Sequence, residues 1–395
     1  MKLRYTKIVG LLTPLLFGVT IASGQGTSGT SSTREYFNPP QIGAVSAVIV
    51  PDARSAGMAD TGVATGTDTY SIYHNISKLG FSQKTWGVSL SYTPWLTEIA
   101  KDMGITYLTG YYTWGSDIRH GLSASFRYFD IGEALLFPRQ DNSKPLTINP
   151  FELAFDLGYA IKFHPMWSLG ATVRYLRSDL NAEITTGPAD NPKTTKSLAQ
   201  TFMLDLALTH DRTISIGGDE VGLRVGMAVD NIGDKLSYDG GASYLFSPAI
   251  LRIGAGMSGF GSEPHAFSFS VEADKYLAPS IPLPTAPDFL QQKEYLRKMN
   301  PLKAIFYSFG DAPGGFSEEL KEISLAVGAE YVYDKVFFAR LGGRYQHHTK
   351  GNDSGISLGV GVIFSNVTFD VSYFTGFDSQ NPLNNTMRLS LGFSL

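Results

Sequence analysis

Along most of this chain, apolar side chains recur at every second position. Trp86, Val88, Leu90 and Tyr92 alternate with Gly87, Ser89 and Ser91. Successive side chains of a strand point to opposite faces, so such a segment has one apolar face and one small or polar face. The pattern returns over 122–128, 153–161, 169–175, 202–208, 221–229 and 251–257. It continues over 267–273, 323–331, 337–345, 356–362, 367–373 and 389–395. A less regular stretch, 105–114, supplies Tyr107, Tyr111, Tyr112 and Trp114. The periodicity predicts about fourteen strands and an all-β fold.

The polar faces decide which way the sheet is turned. They carry Glu152, Asp156, Lys162, Arg174, Asp205, Arg224, Arg252, Glu272, Asp274, Glu330, Arg340, Arg344, Asp370 and Arg388 among many Gly and Ser. Gly and Ser are poor β-formers on an open surface, but small residues suit a crowded interior. Aromatics gather at strand ends (Trp86, Tyr92, Trp95, Tyr128, Tyr159, Trp167, Tyr175, Tyr331, Tyr345, Tyr373). Long links (130–150, 177–199, 230–248, 275–321) alternate with short ones (163–167, 333–335, 364–366). Aromatic girdles, short turns at one end and long loops at the other describe a bacterial outer-membrane barrel. The expected fold is therefore a transmembrane antiparallel β-barrel spanning 85–395, with lipid outside, polar groups inside and loops at the cell surface. The apolar last strand suits closure against the first, because lipid satisfies no open sheet edge.

Composition agrees. Charged residues make up only 17% of 395, against the roughly 25% usual in soluble domains. Aromatics reach 12%, and Gly numbers 42. Mean hydropathy is −0.04, too polar for a bundle of membrane helices. The absence of Cys removes disulfides, thiolate metal sites and a cysteine nucleophile. Net charge of −4 offers no basic face for nucleic acid. At the N-terminus, Lys2, Arg4 and Lys7 precede an apolar run and Ala22-Ser23-Gly24, which predicts a signal peptide over 1–24. A polar Gly/Ser/Thr tract, 25–37, predicts a disordered start to the mature chain.

A barrel of this size lies between the about 8 strands that side chains fill and the about 16–18 of open porins. Something must occupy its lumen or water will. Residues 38–84 are rich in small side chains (Ala53, Ser55, Ala56, Gly57, Ala59, Gly62, Ala64, Gly66) and lack period-two alternation, so they are expected to form a hatch inside the barrel. Asp156, Arg174, Arg224, Arg252, Glu330 and Arg340 are the candidates for ion pairs in the lumen and to the hatch. In the longest loop, 275–321, Pro279, Pro282, Pro284 and Pro287 stiffen the start and 288–300 has helical spacing. Apolar groups at loop tips are candidate partner contacts: Leu135, Leu136, Phe137, Tyr244, Leu245, Phe246, Leu290, Tyr295, Ile305, Phe306 and Tyr307.

Catalytic chemistry finds little support. Gly254-Ala255-Gly256-Met257-Ser258-Gly259 fits a dinucleotide motif in letters, but no helix follows it, as that motif requires. His347-His348 stands alone, and the other histidines lack metal-ligand spacing. No catalytic, cofactor or metal site is expected.

The run from Asp52 to Gly62 and the following Tyr73-His74-Asn75-Ile76-Ser77-Lys78-Leu79 are similar to the hatch of FadL-type outer-membrane proteins, with Ile76 and Ser77 in place of Pro-Ala. Asn38-Pro39-Pro40-Gln41-Ile42-Gly43-Ala44-Val45 and Val48-Ile49-Val50-Pro51-Asp52-Ala53-Arg54 resemble more narrowly the PorV (LptO) family of the type IX secretion system. So do Tyr111-Tyr112-Thr113-Trp114-Gly115, Arg127-Tyr128-Phe129-Asp130-Ile131-Gly132 and Tyr244-Leu245-Phe246-Ser247-Pro248-Ala249. The resemblance implies a non-enzymatic carrier that takes cargo with a C-terminal sorting domain from a translocon barrel (Sov or SprA type). The carrier would deliver it to the sortase PorU for cleavage and attachment to lipopolysaccharide. It implies contact with outer-membrane lipid or lipopolysaccharide and no cofactor. The alternative is a FadL-type channel for uptake of hydrophobic small molecules.

Overall fold

The computed structural model describes residues 37–96, 102–136, 146–186, 193–217, 219–241, 243–283, 285–378, 381 and 383–395. The segment 1–36, which holds the expected signal peptide and nearly all of the polar tract, lies outside them.

Fourteen strands form one closed barrel. In chain order they are β1 (Trp86–Pro94), β2 (Gly104–Trp114), β3 (Arg119–Asp130), β4 (Phe151–His164), β5 (Trp167–Thr186), β6 (Lys193–Ile216) and β7 (Asp219–Gly233). The second half comprises β8 (Ile250–Phe260), β9 (His265–Tyr276), β10 (Ile323–Tyr333), β11 (Phe337–Tyr345), β12 (Gly355–Phe364), β13 (Val367–Gly376) and β14 (Thr386–Ser394). Each strand pairs antiparallel with its chain neighbour, and β1 pairs with β14 from Gly87↔Ser394 to Tyr92↔Leu389. Closure leaves no edge, the condition for a sheet in lipid. No helix among the described residues is long and apolar enough to cross a membrane.

Burial is inverted relative to a soluble protein. On β4, Leu157 is 59% exposed while its neighbour Asp156 is 5% exposed. On β5, Val173 is 52% exposed and Arg174 1%. Leu325, Val327, Leu341, Leu358 and Leu391 repeat the outward pattern on later strands, with Ser, Gly and charged groups inside. The period-two sequence pattern thus places a hydrocarbon-facing surface and a polar lumen on the two sides of one sheet. At the short-turn end, Asp334 and Lys335 both take positive φ, matching the two-residue hairpin turn whose twist suits flanking strands.

One expectation fails. The stretch 177–199 is not mainly a loop: β5 runs 20 residues and β6 24, still paired from Glu183↔Lys196 to Thr186↔Lys193. The β4–β5 pairing ends at Phe151↔Asp179 and the β6–β7 pairing at Met203↔Gly233, so this ribbon continues past its neighbours. Outside lipid a strand needs no apolar face, so alternation fades while Thr-rich sequence keeps the β preference.

Candidate functional site

Residues 38–84 lie among the inward side chains of the wall. Their local folds are short. Asp52 caps helix α1 (Ala53–Ala56) by accepting from the Ser55 N–H at 2.7 Å, and α2 (Ser71–His74) leads into a 3₁₀ turn, Ile76–Phe81. Neither helix could stand alone at four residues. They persist because strands all around supply partners. Glu272 on β9 accepts from the Gly62 and Val63 N–H groups at 2.8 and 2.9 Å. Glu152 on β4 accepts from Ser46 N–H, Ser357 on β12 from Ala59 N–H, and Ser390 on β14 from Ala53 N–H. Thr109 on β2 donates to the Thr69 carbonyl, and Asn75 donates to Thr209 on β6.

Arginines complete the anchoring. Arg54 forms a fork with both Glu330 oxygens (3.2 and 3.1 Å) and reaches Asp68 at 2.9 Å. Glu330 also bridges Arg340, which reaches Asp370. Arg174 is held between Asp156 and Asp205 (2.7 and 3.1 Å) and hydrogen-bonds Asn231. Arg224 pairs with Asp211 and donates to the Thr65 carbonyl at 2.7 Å. Arg252 lies 3.6 Å from Asp230. Tyr73 is flanked by two guanidinium groups, Arg127 at 5.0 Å and Arg252 at 5.1 Å from its ring centre, one from β3 and one from β8. Of the six charged candidates, Asp156 meets Arg174 and Glu330 meets Arg340; Arg224 and Arg252 use acids that the sequence reading did not select.

Several wall glycines are required by close approach. A Cβ on Gly226 would sit 2.3 Å from the Val63 carbonyl oxygen, and one on Gly342 2.3 Å from Ala59 N. Gly254 and Gly256, the first two glycines of the dinucleotide-like motif, face Val63 and Ala64 from β8.

Asp52, Ser55 and His74 form a buried cluster resembling a hydrolytic triad in composition only. Asp52 Oδ1 and Ser55 Oγ both contact His74 Nε2, at 2.8 and 2.9 Å. A triad needs the acid on the opposite ring nitrogen from the serine. All three are nearly inaccessible, and Gly62 packs on the imidazole. Among the described residues no group of three or more His, Cys, Asp or Glu side chains is placed to hold a metal.

At the long-link end, the segment after β9 contains α3 (Phe289–Lys298), α4 (Pro301–Tyr307) and α5 (Phe316–Lys321). Polar anchors fix its base. Lys275 reaches Glu319 and Glu322 (3.1 and 2.5 Å), and Lys350 reaches Glu318 and Glu322 (2.6 and 3.0 Å). Asp311 accepts from the Ser280 N–H at 2.9 Å, and burial pushes its carboxyl up to about 7. The candidate apolar residues divide. Leu290 and Phe306 stand 76% and 78% exposed, Tyr295 and Tyr307 are exposed edge to face at 6.1 Å, and Ile305 is half-buried. Leu302, Phe309, Phe316 and Leu320, not selected from sequence, are also exposed. Leu245 instead bonds back to Leu236, and Phe246 takes Gly43 N–H and the Lys235 ammonium over its ring; only Tyr244 of that trio is exposed. Leu135 and Leu136 lie in a small hairpin, Ala134–Leu136 with Leu146–Ile148. Phe137 and Pro284 lie outside the described residues.

The sequence model of the family described as "Type IX secretion system protein PorV" matches residues 41–284. No curated protein matches the sequence. Among solved structures, the chain is similar to the Ralstonia pickettii toluene transporter TbuX, at 13% identity and a TM-score of 0.48 over 87% of this chain and 97% of that one. The Pseudomonas putida toluene transporter TodX gives 11% identity and 0.46 over 86% and 96%. A Pseudomonas aeruginosa FadL homologue gives 10% identity and 0.45 over 90% and 99%.

Proposed function

The chain belongs to the PorV family, which makes it an outer-membrane component of the type IX secretion system, and from that premise we propose that it is a carrier for secreted cargo. Its long-link end faces the cell exterior and its short-turn end the periplasm. The outer loops bind the C-terminal sorting domain of a secreted protein at a translocon barrel of the Sov or SprA type. They then bring it to the sortase PorU for cleavage and attachment to lipopolysaccharide. Residues 38–84 act as a hatch that keeps the lumen closed, and the carrier works without catalysis or cofactor.

The observation that carries this reading is the apolar surface of the segment after β9. Leu302 and Phe306 on α4, Phe309 after it and Phe316 on α5 are exposed, and the polar side of α5 is tied down by Lys275 and Lys350. Exposed apolar groups at this density mark partner sites, and aromatics supply most hot spots. Folded cargo is too large for a lumen occupied by residues 38–84, so transfer over the outside is the route the architecture favours. The competing reading, a passage for hydrophobic small molecules, needs the lumen to open.

Deleting 279–321 tests the proposal in cells. The barrel is expected to reach the outer membrane in normal amount, with cargo release and attachment lost. An affinity-tagged chain should recover translocon or sortase partners, and the purified protein should conduct little in a planar bilayer. Normal attachment after the deletion would falsify the loop assignment. Recovery of bound long-chain lipid alone, with no protein partner, would favour the channel.

A further inference from the structure

A cavity of about 970 Å³ opens at the short-turn end of the lumen, between residues 67–70 and 80–84 and the ends of the wall strands. That is the upper end of the roughly 300–1,000 Å³ of small-ligand sites. Three carboxylates line it, and each is bridged by an arginine of the same lining: Asp68 by Arg54, Asp211 by Arg224 and Asp370 by Arg340. Three further cations stand at it without such a partner: Lys84, Arg119 and Lys162 are not ion-paired among the described residues.

Two of the three are placed against each other. Arg119 on β3 and Lys162 on β4 are direct cross-strand partners, and both sit on the inward alternation of their strands. Like charges directly opposite repel and destabilise a sheet. Among the described residues no acid is ion-paired with either of them. Arg119 donates to the neutral Lys84 carbonyl at 3.4 Å and to Thr113 Oγ1 at 3.0 Å, while its Nε is buried without a partner. The Lys162 ammonium stands 4.9 Å over the Phe81 ring. The inward arginines on the other strands of this lining each face an acid, Arg224 opposite Asp211 and Arg340 opposite Glu330; here a counter-charge is missing. Lys84 lies just before β1, its ammonium donating to the Ser394 carbonyl and Oγ at 3.0 and 2.9 Å, whereas Arg212 stands opposite Leu223 on the outward alternation of β6 and does not belong to the group.

We propose that this cavity binds a phosphate-bearing ligand, with Arg119 and Lys162 as its central cations and Lys84 at its flank. A guanidinium fork beside a compact ammonium matches the several oxygens of a phosphate. The recess is closed on its inner side by residues 67–70 and 80–84, so it suits a compact anion rather than a passing polypeptide. The phosphate comes either from the headgroup of an anionic phospholipid or from a soluble periplasmic solute. The site is separate from the outer loops and does not depend on the carrier reading.

The test uses the full chain in maltoside detergent at low ionic strength, titrated calorimetrically. The probes are inorganic pyrophosphate and dihexanoyl phosphatidylglycerol below its micelle-forming concentration. Saturable one-site binding of at least one probe is expected, at least tenfold weaker in R119Q/K162Q and unchanged in K298Q on exposed α3. Binding of pyrophosphate alone identifies a soluble source, and binding of the lipid alone a headgroup. K84Q provides a second variant that leaves the cross-strand pair intact, and should weaken binding severalfold. Without ligand, R119Q should melt higher than the parent, as removal of an uncompensated repulsion requires, and pyrophosphate should raise the parent's melting point more than the variant's. The proposal is overturned if neither probe binds, if R119Q/K162Q binds both as well as the parent, or if an acidic polyglutamate peptide binds where both phosphate probes fail.

Discussion

The lumen and the outer loop segment both combine buried charge with small folded pieces, yet they use them oppositely. In the lumen, charges converge on residues 38–84 from strands all around the ring, and Arg54, Arg174 and Arg340 each contact two acids. Removing one member strands the others, so the arrangement is rigid and specific. After β9, a few ion pairs fix α5 at the base while α3 and α4 carry exposed apolar groups, with no residue of α3 buried. Few contacts and exposed hydrogen bonds mark regions that open locally at low cost. The difference teaches that charge convergent from many strands fixes residues 38–84 to the wall, whereas a segment anchored only at its base leaves its apolar groups exposed.

The contrast is most sharply broken at Arg174. Arg174→Leu leaves Asp156 and Asp205 buried without their cation, and a loss of about 3–5 kcal/mol is expected, read from the midpoint of urea unfolding in detergent. Next in size, Gly342→Val drives a side chain into Ala59, where even a Cβ lies at 2.3 Å from Ala59 N. Overpacking of this kind costs about 1–3 kcal/mol. It should displace the segment and raise single-channel conductance; unchanged conductance with a normal barrel would count against residues 38–84 as the closure.

A smaller effect follows from Asp311. Its carboxyl is pushed up to about 7 by burial, so the folded loop prefers the neutral acid. A raised carboxylate pKa contributes stability that is complete below the ordinary value of 3.8 and lost as pH rises through about 7. Amide protection in this loop, corrected for base-catalysed intrinsic exchange, should therefore fall as pH rises from the ordinary 3.8 toward about 7, and Asp311→Asn should flatten the dependence. Protection independent of pH over that range in the parent would remove this difference between the regions. The smallest change in stability belongs to Phe306→Asp with Phe316→Asp, within about 0.5 kcal/mol because both side chains are exposed. Partner capture should nevertheless fall by more than tenfold if these are hot spots, about 2 kcal/mol or more.

Strand existence, number and facing were legible because lipid outside and polar groups inside impose a period of two on every span. Trp86 to Tyr92 or Ile356 to Val362 could be placed without any tertiary information. The β5–β6 ribbon beyond Asp179 was not, since outside lipid that constraint lapses. Helix α3 was readable from 288–300, but its exposure was not: the same apolar residues suit packing or docking. Leu245 and Phe246 show the ambiguity resolved toward packing, Phe306 toward exposure.

By itself, then, the sequence determined a closed barrel, its orientation with respect to lipid and the pool of charges available to its interior, because each of these follows from local alternation. Which charge meets which was decided only in three dimensions. Tyr73 between Arg127 and Arg252, and Arg119 opposite Lys162, join residues from separate parts of the chain through strand register and ring closure. No period encodes such pairings. They arise because a closed sheet brings every strand to face one shared interior, where an unpaired charge is costly and its absence of a partner becomes informative.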